Sequence, residues 1–282
     1  MRNLALERIL CALSPVIECP RPRSGASALV SLPPFPRRLA AVLLLVFAPL
    51  ASPGAEPQSI TLAVPDHDPL VETGLGVITE MYRRIGYQLH EARLPVRRAA
   101  RESDAGEVDG ELMRAVDPDQ RFPDLITVPG ALIEDDIVAF TAGNPALLLN
   151  GWAGLGGRGV CTRPGIAPVE EGLNAASGVK VTFAADSAQV FRLLKAGRCD
   201  FAVLPRSAWI EAQEAGIGGL AEATPMLDHF TTYHQVGRRR AMLVPSLAAV
   251  LRQLRAEGYI ARAQAELDAA IVAAQTDNAS MR

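Results

Sequence analysis

The chain has 282 residues, 49 % of them apolar, with 28 basic and 31 acidic side chains. That length supports one or two domains with a packed core. Residues 1–55 hold six Arg against two acidic residues, so the rest of the chain is acidic and has no basic stripe, which argues against nucleic acid as a partner.

Residues 1–36 are Pro-rich, carry Cys11 and Cys19, and stand outside any fold pattern. Arg37-Arg38 then precede an apolar run, Leu39 to Ala51, followed by the small residues Ser52, Gly54 and Ala55. A basic stretch, a short apolar run and small residues are the pattern of an export signal, here cleaved near Ala55 and directing the chain to the periplasm. An uncleaved anchor or a buried core helix is the alternative, but the run falls short of the roughly 20 residues that span a bilayer.

Beyond residue 56 the periodicity alternates. Strands are expected at 59–64, 87–94, 108–113 and 125–128, with helices at 75–85 and 95–105 between them. Pro65 to Pro69 reads as a loop, and 137–140 as an extended run crossing between halves. After the break at Gly154-Leu155-Gly156-Gly157 the pattern restarts. Strands are expected at 158–162, 179–183 and 199–204. Helices are expected at 169–176, 208–214 and from Ser187, as cap, to Ala196. A returning strand at 230–236 and helices at 241–256 and 260–274 close the chain. Alternating strands and helices predict an α/β fold with mostly parallel sheets.

Two segments echo each other: Ala105-Gly106-Glu107-Val108-Asp109 and Ala196-Gly197-Arg198-Cys199-Asp200. Each follows an amphipathic run and leads into an apolar one, so each predicts a helix ending on a left-handed Gly before a strand. Cys161 and Cys199 are the two cysteines of the body. In an oxidising compartment they are either a disulfide or two buried thiols. No Cys-x-x-Cys or His cluster suggests a metal, and no cofactor motif is present.

These residues resemble the periplasmic solute-binding proteins of family 3, which serve amino-acid ABC transporters. The resemblance rests on Leu94-Pro95-x-x-Arg98, Gly106 to Arg114, and Phe122 to Pro129. It continues through Leu193 to Asp200, Tyr233-His234, Leu243-Val244-Pro245 and Gly258-Tyr259-Ile260. It implies a two-lobed type II periplasmic-binding-protein fold that closes over a ligand. Lobe 1 would be residues 56–140 plus 228–282, and lobe 2 residues 141–227, with crossings near Phe140 and Asp228. It also implies a monomer that takes a small polar or anionic solute and serves a membrane permease or a sensor.

Two departures from the family pattern stand out. Where the family carries an Arg that clamps the ligand carboxylate, this chain reads Ile133-Glu134-Asp135-Asp136. Where the family carries an Asp for the ligand ammonium, it reads Pro205-Arg206. A standard free amino acid is therefore not the expected ligand.

Strand ends and the loops after them line the cleft of such a fold. The candidate ligand residues are Asp66 and His67, Arg98, Glu111 and Arg114, with Arg163 and Arg206 from the second lobe. Each has a plainer reading. Asp66 and His67 suit a turn, Arg98 and Arg114 suit an ion pair with Glu111 or Asp109, Glu111 suits holding Arg114 in place, and Arg163 and Arg206 suit solvated charge. Trp152 and Trp209 stack on a ligand or anchor the packing. Binding is the expected function. The alternatives are a periplasmic enzyme of the cyclohexadienyl dehydratase type, with Glu111 or His67 as general acid, and an accessory protein with an empty cleft.

Overall fold

The computed structural model describes residues 58–66, 68–115, 121–143 and 147–281; the candidate export signal and His67 lie outside them. The strands are β1 (Gln58–Pro65), β2 (Tyr87–Leu94), β3 (Gly110–Arg114), β4 (Leu125–Thr127), β5 (Glu134–Ala142), β6 (Gly159–Thr162), β7 (Lys180–Phe183), β8 (Phe201–Pro205), β9 (Leu220–Glu222), β10 (Asp228–Thr231) and β11 (Tyr233–Gly237). The helices are α1 (Pro69–Arg84), α2 (Val96–Asp104), α3 (Ala167–Ala175), α4 (Ser187–Lys195), α5 (Ala208–Glu214), α6 (Val244–Ala256) and α7 (Tyr259–Ser280).

Two helix-flanked sheets result. The first has strand order β2-β1-β3-β11-β4, and the second β10-β5-β8-β6-β7 with β9 against β5. The strand–helix–strand units give the parallel pairs: β1 with β2 and β3, and β6 with β7 and β8. Strands next to the passages between sheets run antiparallel, β11 to β3 and β4, and β5 to β8, β9 and β10.

The chain leaves the first sheet through Leu132-Ile133 and returns through Thr232. These passages are tied together: Thr232 N–H donates to the Ile133 carbonyl at 2.9 Å, and the Thr232 hydroxyl donates to the same oxygen at 2.7 Å. The expected single strand at 230–236 is therefore two strands, β10 and β11, in different sheets. Phe140 and Asp228 both lie on strands of the second sheet.

Several helix starts differ from expectation: α3 begins at Ala167 and α6 at Val244, and those of α1 and α4 are set by aspartate caps. α1 begins at Pro69, because Asp68 caps it by accepting the Leu70 N–H at 2.9 Å and Pro suits the first turn. α4 is capped by Asp186, whose carboxylate accepts the Gln189 N–H at 2.6 Å; Ser187 is the first helical residue.

The echo is structural. Gly106 (φ +74) and Gly197 (φ +65) both turn left-handed where a helix ends. The following aspartates then bind the neighbouring strand in the same way. Asp109 N–H donates to the Thr61 carbonyl, and its carboxylate accepts the Thr61 N–H, both at 2.8 Å. Asp200 does the same with Gly159, at 2.8 and 2.7 Å. Each Asp thus continues the ladder one residue beyond the strand proper.

The second sheet packs around Phe140, whose ring meets those of Phe191 and Trp209 edge-on at 5.0 Å. Trp209 is thereby a packing anchor, and Trp152 lies against Gly172 on α3. Cys161 and Cys199 form a disulfide between β6 and the segment entering β8. α7 packs on both α1 and α5. Near its end Asn278 donates to the Ile217 carbonyl at 2.7 Å and accepts the Leu220 N–H at 3.0 Å. The two lysines, Lys180 on β7 and Lys195 at the end of α4, both belong to the second sheet and its helices.

Candidate functional site

The ends of β1, β3 and β6 converge between the sheets. They line a half-open cavity of about 90 Å³ faced by Asp66, Glu111, Arg114 and Arg163, with apolar walls from Leu70, Val71, Val96, Met113, Ile166 and Phe230. That is room for about three waters and lies well below the roughly 300 Å³ at which ligand pockets begin. Beside it, between α1, α5 and α7, runs a groove of about 890 Å³. Asp68 lines both spaces.

Ion pairs tie the two sides. Arg163, just beyond β6, donates to Asp68 at the start of α1, and both side chains are 10 % exposed. Its other terminal nitrogen lies 3.7 Å from Glu211 on α5. Farther out, Arg97 on α2 donates to Glu170 on α3 at 2.7 Å and lies over the Phe183 ring at 5.8 Å. Arg121 donates to Glu171 at 3.0 Å.

Inside the cavity the Glu111 side chain is 2 % exposed, and that burial pushes its carboxyl up to about 7 against the pull of Arg114. Arg114 Nε donates to it at 2.8 Å while its guanidinium lies over the Phe122 ring at 4.6 Å. Burial likewise raises Glu211 to about 7 and Asp135 to about 6.

The sequence candidates thus separate. Asp66, Glu111, Arg114 and Arg163 meet at one cavity. Arg98 does not line it: its side chain is 57 % exposed and 3.8 Å from Glu102 on its own helix. Arg206 lies elsewhere, bonded to Asp136 and Glu222 beside the passage between sheets. His229 joins that group through Asp136 at 2.8 Å, the bond that raises its pKa. Among the described residues, no group of three or more His, Cys, Asp or Glu is arranged to hold a metal.

Sequence reasoning passed over Asp68 and Glu211. The signal for Asp68 was present in Asp-Pro, which is a cap followed by a first-turn Pro as much as a turn. Glu211 had no such signal, because only the packing of α5 brings it to Arg163.

No family model matches the chain, and no curated protein matches it in sequence. Solved structures do. A mutant of ArgBP from T. maritima superposes with TM-score 0.64 at 18 % identity, over 75 % of this chain and 95 % of that one. A histidine kinase sensor domain described as similar to periplasmic binding proteins gives 0.62 at 18 %, over 74 % and 95 %. An arginine third-transport-system periplasmic binding protein from Legionella pneumophila gives 0.60 at 13 %, over 74 % and 99 %. The fold is that of the two-lobed periplasmic binding proteins.

Proposed function

We propose that this chain is an exported solute-binding protein, a divergent relative of family 3, that closes over a small polar solute between its two sheets. The passages at Leu132-Ile133 and Thr232 would divide the two lobes, giving residues 58–133 with 232–281, and 134–231, in place of crossings near Phe140 and Asp228. The carrying observation is the cavity itself, where Glu111 and Arg114 from one sheet face Arg163 from the other. A cleft faced by charged groups from both sides, spanned by ion pairs and joined by two short passages, suits hinge closure on a ligand. Ligand then shifts an open–closed equilibrium by its differential affinity, and a permease or sensor reads the closed form.

Several features support export. The 37–55 segment has the pattern of a signal, the Cys161–Cys199 disulfide suits an oxidising compartment, and no helix among the described residues is long and apolar enough to cross a membrane. A thermal-shift screen with amino acids, small carboxylates and polyamines tests the reading. A solute that raises the melting temperature saturably supports it, and no response to any class counts against it.

One observation favours a second reading, an enzyme of the cyclohexadienyl dehydratase type. Glu111 lines the cavity and holds its proton to about 7, as a general acid must. Its bond to Arg114 argues for structural use instead. Turnover of prephenate or arogenate would decide for the enzyme.

A further inference from the structure

The partition between the small cavity and the large groove is built of charge. Asp68 faces both spaces, Arg163 faces the cavity and Glu211 the groove. The Arg163 guanidinium is held from one side by the cap of α1 and from the other by α5, so this contact joins the two halves. Carboxyl groups crowd one cation there: Asp68, Glu211 and Asp186 all act on Arg163, and Glu211, raised to about 7, is only partly ionised near neutrality. Satisfaction is incomplete as well. Arg163 Nε is buried without a hydrogen bond, and the Ser187 hydroxyl and Glu211 Oε2 have only each other, in a contact longer or more bent than an ordinary hydrogen bond. Buried polar groups are ordinarily well paired, so an unpaired Arg163 Nε beside a poorly satisfied Ser187–Glu211 contact marks a place that suits another arrangement. Beyond the partition the groove offers the apolar side chains Val77, Ile210 and Leu267, with Glu214 and Glu266 at its wall. Its volume is within the usual range for ligands.

We propose that Arg163 is a tethered occupant of a cation seat formed by Asp68, Glu211 and Ser187, and that the ligand carries a guanidinium or ammonium group on an apolar stem, which takes the seat from Arg163. The assignment of ligand class rests on the solute-binding reading; the seat itself does not. Without ligand, Arg163 holds the halves together and keeps cavity and groove apart. When a ligand cation replaces it, Arg163 swings out, and the two spaces merge into one compartment that accommodates the stem.

Arg163→Ala empties the seat, and methylguanidinium is the probe. Thermal unfolding is followed in millimolar methylguanidinium, with tetramethylammonium at equal ionic strength as a control of the same charge without N–H donors. The expected result for R163A is a saturable rise of about 3–6 °C at tenfold the dissociation constant, with little change in the wild type. The further change Asp68→Asn in the R163A background should abolish the response. Equal shifts in R163A and wild type, or none in R163A, overturn the proposal. Should R163A fail to fold, R163K decides: its shorter ammonium leaves the Glu211 side open, so the probe should stabilise R163K above wild type, and an unchanged R163K overturns the seat. A wild-type screen that finds only anionic or neutral solutes sinks the ligand class while leaving solute binding intact. A responsive seat with no solute response does the reverse.

Discussion

The Tyr82 hydroxyl lies 2.9 Å from Nε2 of His234, inside the packing of α1 on the first sheet. On its other side, His234 Nδ1 meets the Leu112 carbonyl at 2.8 Å, which requires the proton on Nδ1 and makes Nε2 the acceptor from Tyr82. Burial holds this imidazole neutral down to about 4, against an ordinary 6.5. Tyr82→Phe removes the donor and leaves Nε2 unpaired, which should cost about 1–3 kcal/mol in urea denaturation.

The same histidine sets a pH dependence. Between about 4 and 6.5 the unfolded chain protonates His234 and the folded one does not. Its contribution to stability therefore rises with pH across that window and is complete above it. Denaturation curves of wild type and His234→Gln, measured from pH 4 to 7, should diverge as pH rises; parallel curves would refute the assignment.

Glu111 gives the opposite slope. Its folded pKa of about 7 exceeds the ordinary 4.5, so the folded state binds the proton more tightly, and its contribution declines as pH rises from about 4.5 through 7. Glu111→Gln should flatten that decline. Stability profiles of the two proteins at closely spaced pH values are the check.

Closing a loop of 38 residues, the Cys161–Cys199 disulfide should stabilise the fold by about 4 kcal/mol on a chain-entropy basis. Denaturation with and without reductant, alongside a Cys161→Ser/Cys199→Ser double variant, measures it. Agreement between the reduced wild type and the double variant is expected.

The paired aspartates should not be equal. Asp109 is only 18 % exposed at its side chain and also receives Arg240 at 2.7 Å, whereas Asp200 is exposed. Asp109→Ala should cost about 2 kcal/mol and Asp200→Ala about 1 or less, because only the former strands a second, charged partner. Thermal melts of both variants would reveal the order.

How far the sequence carried depended on the range of the interaction. β2 at 87–94 matches its expected span, since alternation is a property of the strand alone. Gly106 and Gly197 foretold their turns for the same local reason. α1 was expected to start at Leu75; its first turn was hidden because Asp68-Pro69 suits a turn as well as a helix start. Thr232 as the divide between β10 and β11 was not legible, because the bond that fixes it reaches Ile133, 99 residues away. Arg163 was picked out by its strand end, but its pairing with Asp68 spans 95 residues and needs both sheets in place. The export signal and the expected lobe crossings rest on pattern and resemblance.

Lys180 and Lys195 sit on the same half of the molecule. The ion pairs that join the halves are made by arginines. An amine-reactive dye therefore marks one half and leaves the other dark, apart from the chain's own N-terminal amine, without touching any bridging charge. In the form cleaved near Ala55, which lacks Cys11 and Cys19, a single thiol placed in the first half would then accept a second dye, giving a two-colour ruler for opening and closing without removing any native side chain from the cleft.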